Sequence, residues 1–288
     1  MLKLVILIIY FAVLIGIGLY CRKHATDVNG FVLGGRSVGP WLTAFAYGTS
    51  YFSAVVFVGY AGQFGWKYGI AATWAGIGNA IIGSLLAWVV LGRRTRIMSQ
   101  HLDSATMPQY FGKRFGSNPL KIGASVIIFI FLIPYTASLY NGLSRLFGMA
   151  FNIDYSVCII IMATLTAIYV IAGGYMATAI NDFIQGIIML FGIIAVIAAV
   201  IHSKGGFMSA LQGLANVSDP AVSDTPGIFA SFFGPDPFNL LCVVILTSLG
   251  TWGLPQMVQK FYAIDNEASI QKGTVISTIF ALIVSGGC

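Results

Sequence analysis

Hydrophobic residues in this chain run in long blocks rather than alternating. Eight blocks stand out: Leu4–Tyr20, Trp41–Gly62, Gly69–Leu91, Ile122–Met149, Tyr155–Ala172, Asn181–Ile201, Asn239–Val258 and Ser269–Cys288. A helix crosses a ~30 Å hydrocarbon layer with about 20 mostly apolar residues. The pattern therefore predicts an all-α membrane protein with about eight transmembrane helices. The fifth block is short, and the Gly173-Gly174 pair divides it from the sixth. The seventh is interrupted by Gly250, Gly253 and Pro255, a combination that loosens and kinks a helix.

Composition strengthens this picture. The 288 residues are 58% hydrophobic and only 8% charged, against roughly 25% charged in soluble domains. The net charge of +6 follows topology rather than a nucleic-acid surface, because the basic residues fall between apolar blocks. With the N-terminus outside, the inner loops hold Arg22, Lys23, Arg36, Arg93, Arg94, Arg96, Lys113, Arg114, Lys121, Lys260 and Lys272, and the outer segments hold only Lys3, Lys67, Arg145 and Lys204. Positive residues favour the inner side, so the expected placement is multi-pass in a plasma membrane (the bacterial inner membrane), N-terminus outward. The first block is longer than a signal-peptide core and lacks a good cleavage site, so it reads as a retained helix. Short interfacial helices are expected near Phe207–Leu214 and within Leu102–Asn118. The sequence ends inside an apolar run at Val284-Ser285-Gly286-Gly287-Cys288, which reads as a C-terminally truncated chain.

Cys21, Cys158, Cys242 and Cys288 have no metal-type spacing, and His24, His101 and His202 form no cluster. There is no GxSxG, HExxH, CxxC or Walker A pattern. Neither an enzyme nor a transition-metal protein nor a cofactor is indicated, and no nucleic-acid partner.

The polar residues at membrane depth carry the chemistry. The centre of the second block, Gly48-Thr49-Ser50-Tyr51-Phe52-Ser53, is small and rich in hydroxyls. A break there, marked by Gly48, would expose carbonyl and hydroxyl oxygens suited to an alkali cation. Irregular backbone at that depth needs protein or water around it. Close packing through small residues accounts for this segment equally well. In the seventh block Thr251, Trp252 and Gln256 would line the break at Gly250, Gly253 and Pro255. Two interrupted helices in matching positions are the pattern of an inverted-repeat transporter. Asp182, where the sixth block begins, is a functional candidate as an ionisable group at membrane depth. A helix start would also favour it through the dipole.

Three segments resemble the sodium:solute symporter family. Phe31-Val32-Leu33-Gly34-Gly35-Arg36-Ser37-Val38-Gly39-Pro40 is similar to its (F/Y)-x-L-G-G-R-x-x-G-P entry motif. Gly173–Gln185 resembles its signature, with an aspartate and then a glutamine three residues on. Leu254-Pro255-Gln256, with Gln259-Lys260-Phe261-Tyr262-Ala263, resembles its seventh-span exit.

The resemblance implies a LeuT-type inverted-repeat fold with an extra N-terminal helix. Residues 4–20 would be the peripheral helix, 41–201 the first five-helix repeat and 239–288 the start of the second, incomplete one. It implies sodium-coupled symport of a small organic solute by alternating access, with Na+ as the coupling ion. The sodium oxygens would come from Thr49, Phe52, Ser50 and Ser53, with Asp182 at a second site. The solute would lie near Tyr51, Ser53, Thr251, Trp252 and Gln256. Tyr51, Thr247 and Thr251 depart from the proline-transporting branch, and Val56 and Pro255 from the sugar branch. The Leu-Pro-Gln form leans towards amino-acid- or pantothenate-like solutes. A membrane-embedded sensory or interaction module on the same fold is the alternative; a kinase-like domain after a complete set of spans would favour it.

Overall fold

A computed structural model describes residues 2–53, 60–223 and 225–287. Val56 and much of the second half of the second block lie outside the described residues, as does Cys288. Among the described residues the regular structure is helical, apart from single bridges between Val38 and Ile264 and between Asp219 and Ser223.

Four helical stretches are long and apolar enough to cross a membrane, and a fifth is a bent pair. Eight spans follow only if the longest helix is divided and two shorter helices are added. The first of these is α1 (Leu2–Cys21), whose Val5, Ile6, Ile8 and Ile9 are exposed. It closes on its neighbour through Gly18, where a Cβ would stand 2.9 Å from the Tyr169 carbonyl. Small residues permit such backbone approach between membrane helices.

Next comes α2 (Val28–Leu33), capped by Asp27, whose carboxylate accepts from the Gly30 N–H. Gly34, Gly35 and Arg36 follow with φ of 59°, 66° and 55°. Two glycines adopt this left-handed turn at little steric cost, and it brings Arg36 into the protein. The second shorter helix, α3 (Pro40–Tyr51), starts on a proline at its first position, where the missing N–H costs nothing.

After α4 (Gly62–Tyr68), Gly69 turns the chain with φ 61° and ψ −140°. Then α5 (Thr73–Gly78) widens into π-helical turns at Asn79–Leu86 and Trp88–Gly92 and continues as α6 (Arg93–His101). Helices occur in both loops where short ones are expected: α7 (Met107–Phe115) and α10 (Phe207–Ala215). Between them stand α8 (Asn118–Phe151) and α9 (Tyr155–Ser203). Phe129 and Phe131 of α8 are about two-thirds exposed, at 70% and 68%, as lipid-facing side chains would be.

The 49 residues of α9 would rise about 74 Å at 1.5 Å each, far beyond one bilayer. They are divided at Gly174, with φ 57° and ψ −149°. The helix resumes directly at Tyr175, several residues before the expected start at Asn181. Asp182 therefore lies two turns inside a helix. The dipole effect fades within the first turn, so it does not account for Asp182.

The last elements are α11 (Pro237–Gly250), α12 (Pro255–Ala263) and α13 (Glu267–Gly286). The main apolar cluster joins Tyr47 and Tyr51 of α3, Phe52 just past its end, Trp88, Phe261 of α12 and Phe280 of α13. These elements form the bundle that positions the site.

Candidate functional site

Two helices are interrupted, and they meet. In α3 the last helical hydrogen bond runs from the Phe52 N–H to the Gly48 carbonyl at 2.9 Å. Phe52 then leaves the helix with φ −92° and ψ 70°. Gly48 is thus not the break; it lies inside α3, and its hydrogen faces the Phe280 ring, which a Cβ would strike. The break falls at Phe52-Ser53. Helix C-termini leave carbonyls without internal donors, and here the Thr49 carbonyl comes next in the series.

The other interruption separates α11 from α12, which are bent by 52°. Residues Thr251–Gly253 make one tight turn, and Leu254 is extended before Pro255. At this break the Thr251 N–H donates to the Leu249 carbonyl. The Thr247 carbonyl instead accepts from the Tyr51 hydroxyl at 3.0 Å.

The π-helical segment of the third span joins both breaks. Tyr51 Oη lies 2.9 Å from Asn79 Oδ1 and Ser248 Oγ lies 3.1 Å from the same oxygen. Tyr47 donates to the Gly83 carbonyl at 2.8 Å, and Trp252 Nε1 to the Ile82 carbonyl at 3.0 Å. π-turns are frequent at functional sites, and in this one backbone carbonyls accept from both interrupted helices. Asn79 was missed by the sequence reasoning: nothing in an apolar, glycine-rich block marks a π-turn.

The remaining candidates divide between two places. Tyr51, Thr251 and Trp252 gather at the junction just described, although Thr251 Oγ1 turns back to the Ser248 carbonyl at 3.0 Å. Thr49 lies lower on α3, its hydroxyl donating to the Phe45 carbonyl at 2.9 Å. A Cβ on Gly186 of α9 would stand 3.2 Å from Thr49 Cγ2. Gly186 is one turn from Asp182, so α9 brings the carboxylate to the same helix crossing. Ser50 and Ser53 are half-buried. Gln256 is on the far side of the second break, and neither of its buried amide atoms has a partner among the described residues.

The second centre is an ion pair. Lys260 Nζ stands 3.5 Å from Asp182 Oδ2, with side-chain exposures of 7% and 22%. The ammonium also lies 5.1 Å from the Tyr175 ring centre. Lys260 is not a loop cation, as expected from the charge pattern, but a buried residue of α12, one turn beyond Gln256. The bend just before Pro255 turns this helix into the protein. Both polar atoms of Asn181 and the Tyr175 hydroxyl are also buried without partners among the described residues. Unpaired buried polar groups are rare and need a reason, such as a bound ion, water or ligand.

Beyond this pair one end of the bundle is tied by two guanidiniums. Arg36 donates to Ser99 Oγ and to the carbonyls of Tyr262, Ser99 and Ser104, the last at 2.8 Å. Arg96, 5% exposed, donates to the Ile264 and Asp265 carbonyls at 2.6 and 2.9 Å. Gln259 donates to the Val32 carbonyl at 2.6 Å. The glycine turn before Arg36 and the exit of α12 thus meet at one seal.

The fold as a whole is similar to that of a solved structure. The chain resembles, with a TM-score of 0.72 over its whole length and 61% of the other chain, the substrate-bound outward-open state of a Na+-coupled sialic acid symporter. At 16% identity that likeness concerns the fold. Residues 31–288 match the model of the sodium:solute symporter family, and the chain belongs to that family of multi-pass membrane proteins. Among curated relatives, it is 30% identical over 278 residues to the osmoregulated proline transporter OpuE of Bacillus subtilis (strain 168), covering 96% of this chain and 54% of that protein. It is 31% identical over 282 residues to a sodium/proline symporter of Staphylococcus aureus (strain JH9), covering 93% of this chain and 51% of that protein. The chain spans about half the length of these relatives.

Proposed function

We propose that this chain belongs to a sodium-coupled symporter that carries a small amino-acid-like solute by alternating access. The observation that carries the proposal is the junction of two interrupted helices through Tyr51, Asn79 and Thr247, with the partly buried carboxylate of Asp182 at a neighbouring helix crossing. Discontinuous helices form the ion and solute sites of secondary transporters. In this reading the Thr49 and Phe52 carbonyls, with the Ser50 and Ser53 hydroxyls, offer oxygen to sodium, and Asp182 serves a second sodium. The solute lies among Tyr51, Ser53, Thr251, Trp252 and Gln256. The unpartnered amide of Gln256 supports this, because a bound polar group would satisfy it.

The N-terminus faces outward, so the sealed end that holds Arg36 and Arg96 is cytoplasmic. Residues 4–20 form the peripheral helix, 41–201 the first repeat and 239–288 part of the second. The bundle built on α3, the third span, α12 and α13 shares one apolar cluster, which suits a body that rocks as a unit. Each sodium entering at −100 mV gains ~2.3 kcal/mol from the potential. Linkage passes that energy to the solute when both favour the same state. The relatives named as proline transporters make proline the first solute to test, before other amino acids and pantothenate.

The test of the site is Asp182→Asn. Solute uptake at graded sodium should show a raised half-activation or fewer coupled ions. An unchanged sodium curve at equal protein level would leave Asp182 a structural residue.

A further inference from the structure

The Asp182–Lys260 pair has a geometry that packing alone does not explain. Charge-assisted contacts between ammonium and carboxylate usually close to about 2.7–2.9 Å; this one stands at 3.5 Å. Among the described residues the ammonium makes no other ion pair, and it lies 5.1 Å from the Tyr175 ring centre. The pair nonetheless sits between α9 and α12, Lys260 buried and Asp182 largely withdrawn from solvent, at the helix crossing that also holds Thr49. A carboxylate there is strongly unfavourable without a cation. The cation that meets this need is on a flexible stem, loosely held, on the helix that begins at the break.

We propose that Lys260 is a tethered counter-cation that exchanges with sodium at Asp182. With sodium absent, the ammonium neutralises the carboxylate. When sodium enters, it takes the carboxylate oxygens and the ammonium withdraws towards the Tyr175 ring, which can hold a cation through its face. One positive charge replaces another, so the buried carboxylate is never left bare. Because Lys260 belongs to α12, the exchange transmits sodium occupancy to the second interrupted helix. Sodium binding therefore releases α12 from α9, whereas an empty site ties the two together. This extends the proposed sodium role of Asp182 and rests on it.

The test is direct binding of sodium alone to the purified protein. Sodium is titrated at constant ionic strength against choline, with intrinsic tryptophan fluorescence and the thermal unfolding midpoint as readouts. Lys260→Met and Lys260→Gln remove the competing charge at similar length. A competitor that holds the carboxylate most of the time weakens apparent affinity by its occupancy. Both variants should therefore bind sodium at least about tenfold more tightly than the parent, and Lys260→Arg should not. In Asp182→Asn the gain on removing Lys260 should disappear.

A sodium affinity in the two neutral variants equal to or weaker than the parent's, while Asp182→Asn changes sodium binding, would overturn the exchange and leave the sodium site standing. No effect of Asp182→Asn on sodium binding would remove both. Failure of the neutral variants to fold even in saturating sodium would also overturn the proposal, because sodium is meant to replace the ammonium.

Discussion

Tyr51 has one hydroxyl and sits against two oxygens, the Thr247 carbonyl and Asn79 Oδ1. Its single proton is shared between these two acceptors. Tyr51→Phe strips the Thr247 carbonyl of its donor at the point where the helix has none to offer. A buried acceptor left unpaired costs about 1–3 kcal/mol. The variant should show a lowered unfolding midpoint and reduced uptake in the same preparation. A variant as stable as the parent would mean that water or another donor reaches the carbonyl. At this scale the sequence showed Tyr51, Thr251, Trp252 and Asp182 as polar residues in apolar blocks, which is a strong signal. It did not show Lys260, because a cation just past a predicted span reads as a loop residue marking topology. Only the bend at Pro255, which turns the next helix inward, makes it a buried partner of Asp182.

At the scale of elements, the two glycines at 173–174 marked a real division, but of a single residue. Gly174 has φ 57°, and an added Cβ would stand 2.7 Å from the Phe31 carbonyl. Gly174→Ala should destabilise the protein by about 1–3 kcal/mol, read as a fall in the unfolding midpoint. The midpoint should recover little with added sodium, since the defect is in the backbone. Pro255 offers the opposite case. It begins α12 after the extended Leu254, and its ring opposes a continuous helix. Pro255→Ala should keep or raise the unfolding midpoint while lowering uptake, separating the break's role from stability. Equal uptake would show that the break does not need proline. Periodicity and block length found most of the helices, because apolar runs of bilayer length admit little else. They missed the π-turns at Asn79 and misplaced the α3 break at Gly48, since both depend on what packs alongside. Gly48 is small because Phe280 lies against it.

At the scale of the whole molecule, one end of the structure is tied together by buried and part-buried hydrogen bonds. The four contacts of Arg36 and the backbone contacts of Arg96 join the entry turn, the Ser99–Ser104 loop and the exit of α12. A lysine keeps the charge but not the planar fork of donors. Arg36→Lys should therefore open this end more often. A cysteine introduced beneath the seal, in a background lacking Cys21, Cys158, Cys242 and Cys288, should react faster with a membrane-impermeant thiol reagent applied from that side. The same rate in both proteins would place the closure elsewhere. The entry motif had named Arg36 without saying what it does; its partners lie far along the chain, and only the fold brings them together.

The central claim is that sodium drives solute through this molecule. The most direct measurement is uptake of labelled proline, then of other amino acids and pantothenate, into proteoliposomes carrying the protein. It is made with an inward sodium gradient, with equal sodium on both sides, and with the gradient replaced by choline. The account predicts accumulation above equilibrium only with the gradient, enhanced by an interior-negative potential and collapsed by a sodium ionophore. Accumulation or flux of a transported solute that ignores the sodium gradient would contradict it.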